Sequence, residues 1–105
     1  MNRTLLEETI HVLKMYGKTL DDIIAICDND CQITKENFIQ CADVSYDSGY
    51  GLPYVDMDLK LIGKDFWLER AEYDGSEWWE YKTMPNYKNL PVKHVDSIVY
   101  EYGGY

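Results

Sequence analysis

Apolar residues recur at helical spacing near the start of the chain and at two-residue spacing in its second half. Thr4 and Glu7 form a capping box, and Leu5, Leu6, Ile10, Leu13 and Tyr16, with Thr9 and Val12 beside them, make one helical face that stops at Gly17. This pattern predicts a helix over 5–16. Ile23 to Cys27 is short, apolar and partly β-branched, and the turn residues Asp28-Asn29-Asp30 join it to Cys31-Gln32-Ile33 as a small hairpin. Thr34 caps a second, shorter helix with Phe38, Ile39 and Ala42 on its buried face and its end near Asp43. Asp47-Ser48-Gly49-Tyr50-Gly51, followed by Pro53, is loop chemistry. Strand-like runs follow at Met57 to Ile62, Phe66 to Glu72 and Glu77 to Thr83. After Pro85 and Pro91, His94 to Tyr100 adds a last strand, and Gly103-Gly104-Tyr105 frays. The predicted fold is α+β: an antiparallel meander with a central Asp-Gly hairpin, packed by two helices.

Register within that hairpin turns on charge. A two-residue Asp74-Gly75 turn sets Glu72 opposite Glu77 and Glu69 opposite Glu80, pairs of like charge that weaken a ladder. A three-residue Tyr73-Asp74-Gly75 loop with Gly75 left-handed avoids both, and places Arg70 across from Trp78 and Trp67 across from Tyr81. The second register is therefore expected. Trp78 and Trp79 are adjacent on a strand and must point to opposite faces, so a sheet covered on one side buries only one of them.

A length of 105 residues supports one core, hence a single domain over 1–105. The formal net charge of −9 is concentrated: residues 41–80 hold ten acids against Lys60, Lys64 and Arg70, so the middle of the chain carries −7. Such a surface repels nucleic acid and anionic lipid and attracts a basic protein. Acidity of this kind also serves simply to keep a small domain in solution. The polar, amphipathic N-terminus is not an apolar leader, and three cysteines make an odd set, which together point to a reducing cytoplasm. No stretch has the roughly eighteen apolar residues of a membrane span.

Candidate chemistry is sparse. Cys27, Cys31 and Cys41 with His11 and His94 lack a second close ligand pair, and Cys27 and Cys41 fall at apolar positions, as core cysteines do, so no metal is assigned. Ser48 and Ser76 lie in no nucleophile elbow. The glycine loop lacks the lysine and the spacing of a phosphate-binding loop, and no cofactor is implied. Glu69, Glu72, Asp74, Glu77 and Glu80 could supply an acid and a base for glycoside chemistry beside Trp78 or Trp79, but a pocket is hard to build in so small a domain. Residues 65–84 hold all three tryptophans and six of the nineteen acids. Tryptophan, tyrosine and arginine dominate interface hot spots, which makes a protein partner the leading expectation.

The segments DSGYG and DLKLIGKDFWLERAEYDGSEWWEYKTMP resemble a family of small proteins of phages and prophages of Gram-positive bacteria. The resemblance covers about residues 4–85 and carries no catalytic residues. It implies a phage-borne protein acting in the cytoplasm of a bacterial host, similar in size, charge and context to anti-CRISPR inhibitors. The expected function is stoichiometric binding, with partial nucleic-acid mimicry, to a basic nucleic-acid-binding host protein such as a CRISPR effector. Asp65, Glu69, Glu72, Asp74, Glu77 and Glu80 would face its lysines and arginines, with Tyr73 and Trp78 or Trp79 as anchors, and Asp47 and Tyr50 as loop contacts. A phage structural protein acting by self-association, and a small carbohydrate-binding protein or hydrolase, are the alternatives.

Overall fold

A computed structural model describes residues 3–46, 49 and 54–99. Helix α1 (Leu5–Met15) starts at the expected capping box: the Thr4 hydroxyl accepts from the Glu7 amide, and the Glu7 carboxylate accepts from the Thr4 amide. A 3₁₀ turn at Leu20–Asp22, capped in the same way by Thr19, leads into β1 (Ile23–Cys27). Strand β2 (Gln32–Ile33) closes the small hairpin, and α2 (Lys35–Ala42) follows its cap at Thr34. Strands β3 (Lys60–Gly63), β4 (Phe66–Tyr73) and β5 (Ser76–Thr83) form the meander. All pairings are antiparallel in one sheet of order β2-β1-β3-β4-β5, so the fold is α+β.

Both helices cover one face of this sheet. Leu5 and Leu13 of α1 and Phe38 and Ala42 of α2 pack with Ile23, Ile26, Leu61, Phe66, Leu68 and Trp79 in the core. Thr9 is fully buried among them, and its hydroxyl donates to the Leu5 carbonyl (2.7 Å) and accepts from the Trp79 indole (2.9 Å), which satisfies both polar groups. Gly63 sits where a Cβ would run into the Phe66 ring, so the β3–β4 turn brings the backbone against a core aromatic.

Several expectations change. Ile10 and Ile39 lie exposed, because three inward residues of α1 (Leu5, Thr9, Leu13) and two of α2 (Phe38, Ala42) already fill the contact with so small a sheet. Strand β3 begins at Lys60, after a turn at Met57-Asp58. Cys41 is exposed and Cys27 half-buried, so neither is a core residue. Residues 84–99 form no strand and are exposed throughout, Val92, Val95, Ile98 and Val99 included. An isolated strand without a ladder partner is not stable in water, and Pro85 and Pro91 interrupt the approach to the sheet. Tyr100 and the glycines beyond it lie outside the described residues.

The hairpin takes the two-residue turn. Glu72 faces Glu77, Glu69 faces Glu80, Arg70 faces Trp79, Ala71 faces Trp78 and Trp67 faces Lys82. Asp74 (φ 51°) and Gly75 (φ 87°) are both left-handed, the signature of a type I′ turn whose twist matches the strands it joins. The like-charge penalty is removed side chain by side chain. Glu77 is buried in an ion pair with Arg70 (2.8 Å), Glu69 accepts from the Trp67 indole (2.6 Å), and Glu80 pairs with Lys82 (3.4 Å).

Candidate functional site at the acidic end of the sheet

Strand polarity gathers the acidic turns. In this antiparallel order the C-terminal ends of β1 and β4 and the N-terminal ends of β3 and β5 share one end of the sheet. The β1–β2 turn brings Asp28 and Asp30 there, the entry to β3 brings Asp56 and Asp58, and the hairpin tip brings Glu72 and Asp74. Five of these six side chains are exposed and Asp28 is half-buried. Adjacent strands lie roughly 4.8 Å apart, and β4 runs four residues beyond Glu69, the partner of Lys60, so the hairpin-tip acids stand further out along the strands than those of the β1–β2 turn.

The titration of these groups reports the crowding. Asp28 accepts from the Asp30 amide (2.8 Å) and the Cys31 amide (3.0 Å), and these bonds hold its pKa below the ordinary value. The Asp58 amide pulls Asp56 down, but its hydrogen bond with Asp28, burial and the charges of Asp28 and Asp58 together push it up. The Asp28 charge, burial and the Asp30 charge raise the Cys31 thiol. The Asp28 charge leads the upward shift of Cys31 and the hydrogen bond with Asp28 leads that of Asp56, so both follow from the proximity of the Asp28 carboxylate.

Beside this end lies the sheet's outer face. Trp67, Glu69, Ala71, Tyr73, Trp78, Glu80 and Lys82 alternate with the core residues of β4 and β5 and point away from the helices. Trp78 is 37% exposed and Tyr73 76%. Ile62 and Trp67, flanked by Lys60 and Glu69, line a shallow depression of about 280 Å³. The half-buried carboxylates of Glu69 and Glu80 on this face are balanced by Lys60 and Lys82, so the face is aromatic and close to neutral while the sheet end is acidic.

The residues expected to meet a partner divide accordingly. Glu72, Tyr73, Asp74 and Trp78 stand exposed at the tip or on the outer face, with Glu69 and Glu80 half-buried on that face. Asp65 is exposed at the opposite end of β4, 3.9 Å from Lys18, and does not join them. Trp79 and Glu77 are buried, at 4% each, and are not surface residues. Asp47 and Tyr50 lie outside the described residues. In sequence Asp28 and Asp30 signal only a turn, Asp58 falls within the strand expected over Met57 to Ile62, and Asp56 is not singled out; the strand order that assembles them is not written in their local sequence.

Glu77 belongs to a polar cluster on the inner face. Arg70, with a fully buried side chain, donates to Glu77 (2.8 Å), to the Tyr46 hydroxyl (3.0 Å) and to Glu8 of α1 (3.3 Å), and its guanidinium lies 4.7 Å from the Trp79 ring. Tyr46 donates in turn to Glu8 (2.6 Å). Burial works against the Arg70 charge, yet the hydrogen bonds with Tyr46 and Glu77 outweigh it and hold its pKa above the ordinary value. The Glu77 carboxylate also accepts from the Tyr54 (2.6 Å) and Val55 (3.2 Å) amides, which ties the segment entering β3 to the hairpin tip. One buried pair thus holds two acidic turns side by side.

Among the described residues no three His, Cys, Asp or Glu side chains are arranged to hold a metal ion, and no helix is long and apolar enough to cross a membrane. Comparison with protein-family models, curated proteins and solved structures finds no match to this chain.

Proposed function

We propose that this chain is a non-catalytic, stoichiometric binding protein whose acidic sheet end engages a basic, nucleic-acid-binding protein. The observation that carries the proposal is the gathering of Asp28, Asp30, Asp56, Asp58, Glu72 and Asp74 at one end of the sheet. Spread along the strand ends, these carboxylates offer a phosphate-like row to lysines and arginines. Tyr73 and Trp78 adjoin the row and supply the apolar anchors that charge alone lacks. The tip is held by the Arg70–Glu77 pair, so little ordering is needed on binding. Together with the resemblance to phage proteins, this suits an inhibitor of a host defence protein such as a CRISPR effector, acting in the bacterial cytoplasm by occupying its nucleic-acid groove.

Capture from bacterial lysate at low and high salt tests the proposal. Wild-type protein should retain a nucleic-acid-binding protein that salt releases. The variant Asp58→Lys/Glu72→Lys/Asp74→Lys, which leaves the core untouched, should retain at least about tenfold less, since like charges then face each other. Equal retention by wild type and variant would rule out the acidic end as the contact.

A further inference from the structure

Strand β5 is the outermost strand of the sheet, eight residues long, paired with β4 in unbroken register and free of proline and bulge. The opposite edge strand, β2, has only two residues. Long regular edges are ordinarily blunted or covered, because their unpaired amides and carbonyls accept another strand. Here no described segment covers that edge. Among the described residues no backbone hydrogen bond reaches β5 from its far side, and residues 84–99 stand exposed beyond it. A groove of about 380 Å³ follows the edge, lined by the five successive residues Trp78–Lys82 and by Tyr16, which stacks on Tyr81 at 4.0 Å.

We propose that a second copy of this chain docks on this edge, β5 against β5 and antiparallel about a twofold axis at Tyr81. The hydrogen-bond pattern limits the possible registers. A two-residue turn makes Tyr73 and Ser76 a hydrogen-bonded pair, so alternation turns the main-chain groups of Glu77, Trp79, Tyr81 and Thr83 outward. A twofold ladder must pair those residues with each other. Centring it between Trp79 and Tyr81 sets Glu80 against Glu80, and centring it between Tyr81 and Thr83 sets Lys82 against Lys82. Centring it on Trp79 leaves both charges without an opposite. Centring it on Tyr81 sets Glu80 against the partner's Lys82 and Lys82 against the partner's Glu80, two complementary pairs on the outer face. Both side chains are accessible for this, at 40% and 43% exposure. Pro85 ends the ladder just beyond Met84. The dimer forms one continuous ten-stranded sheet and presents two acidic ends.

Sedimentation velocity over a range of protein concentrations tests this, with circular dichroism to verify folding. Wild type should dimerise. Lys82→Glu should weaken the dimer about tenfold by setting like charges opposite each other twice, and the swap Glu80→Lys/Lys82→Glu should restore it. Thr83→Pro removes an outward amide without breaking a bond to β4, and should also give a folded monomer. A wild-type chain that stays monomeric throughout would overturn the proposal. So would a dimer that Lys82→Glu leaves unchanged. If that dimer were instead lost on Ile98→Asp, the contact would lie in the segment after β5.

Discussion

Arg70 and Glu77 decide how the charged residues of the hairpin are used. Their side chains are 0% and 1% exposed, a burial that neither charge tolerates alone. Removing one partner leaves the other charged in an apolar setting, so Glu77→Gln should destabilise the fold by about 3 kcal/mol in urea unfolding, while Glu80→Gln on the outer face should change it by less than about 0.5 kcal/mol. Tyr46 gives the same cluster a signature in pH. Burial, followed by its hydrogen bond to Glu8, pushes the phenol up to about 12 from 10.0. The unfolded chain therefore gives up this proton first as pH rises. The stabilisation from neutral Tyr46 is fully present below pH 10 and lost by the time pH passes about 12. Ultraviolet titration of the ten tyrosines should show a late-ionising phenol in wild type that is absent from Tyr46→Phe.

Among elements, the β4–β5 hairpin is the most informative. Its two-residue turn requires left-handed backbone at both Asp74 and Gly75. Gly75→Ala should cost about 1–2 kcal/mol and Asp74→Asn almost nothing, since asparagine adopts this conformation readily. Equal effects of the two in thermal unfolding would contradict the type I′ geometry. Both helices, their caps at Thr4 and Thr34, the three meander strands and the opposite orientation of Trp78 and Trp79 were legible in the sequence, because each depends on neighbours within a few residues. The hairpin register was not. Treating all five hairpin glutamates and aspartates as solvent charges makes the two-residue turn look repulsive, and nothing local shows that Arg70, Tyr54 and Val55 draw Glu77 inward. For the same reason Arg70 stacks on Trp79 rather than on Trp78. The strand expected after His94 failed because β-branched residues alone do not make a strand, and Pro85 and Pro91 interrupt the return of this segment to the edge of β5.

At the scale of the whole molecule, charge follows topology. The antiparallel order carries Asp28, Asp30, Asp56, Asp58, Glu72 and Asp74 to one end, whereas Lys18 and Lys64 lie toward the other and Lys88 and Lys93 in the exposed segment beyond β5. A net charge of −9 shared evenly would only oppose association; six of the nineteen acids gathered at one end attract a basic groove and orient the encounter. The most direct test is competition. Fluorescently labelled DNA or RNA bound to the captured partner should be displaced by wild-type protein at low salt, progressively less as salt rises, and not by Asp58→Lys/Glu72→Lys/Asp74→Lys. Simultaneous binding of nucleic acid and this protein to the same partner, with no displacement at any salt concentration, would contradict the proposed mimicry.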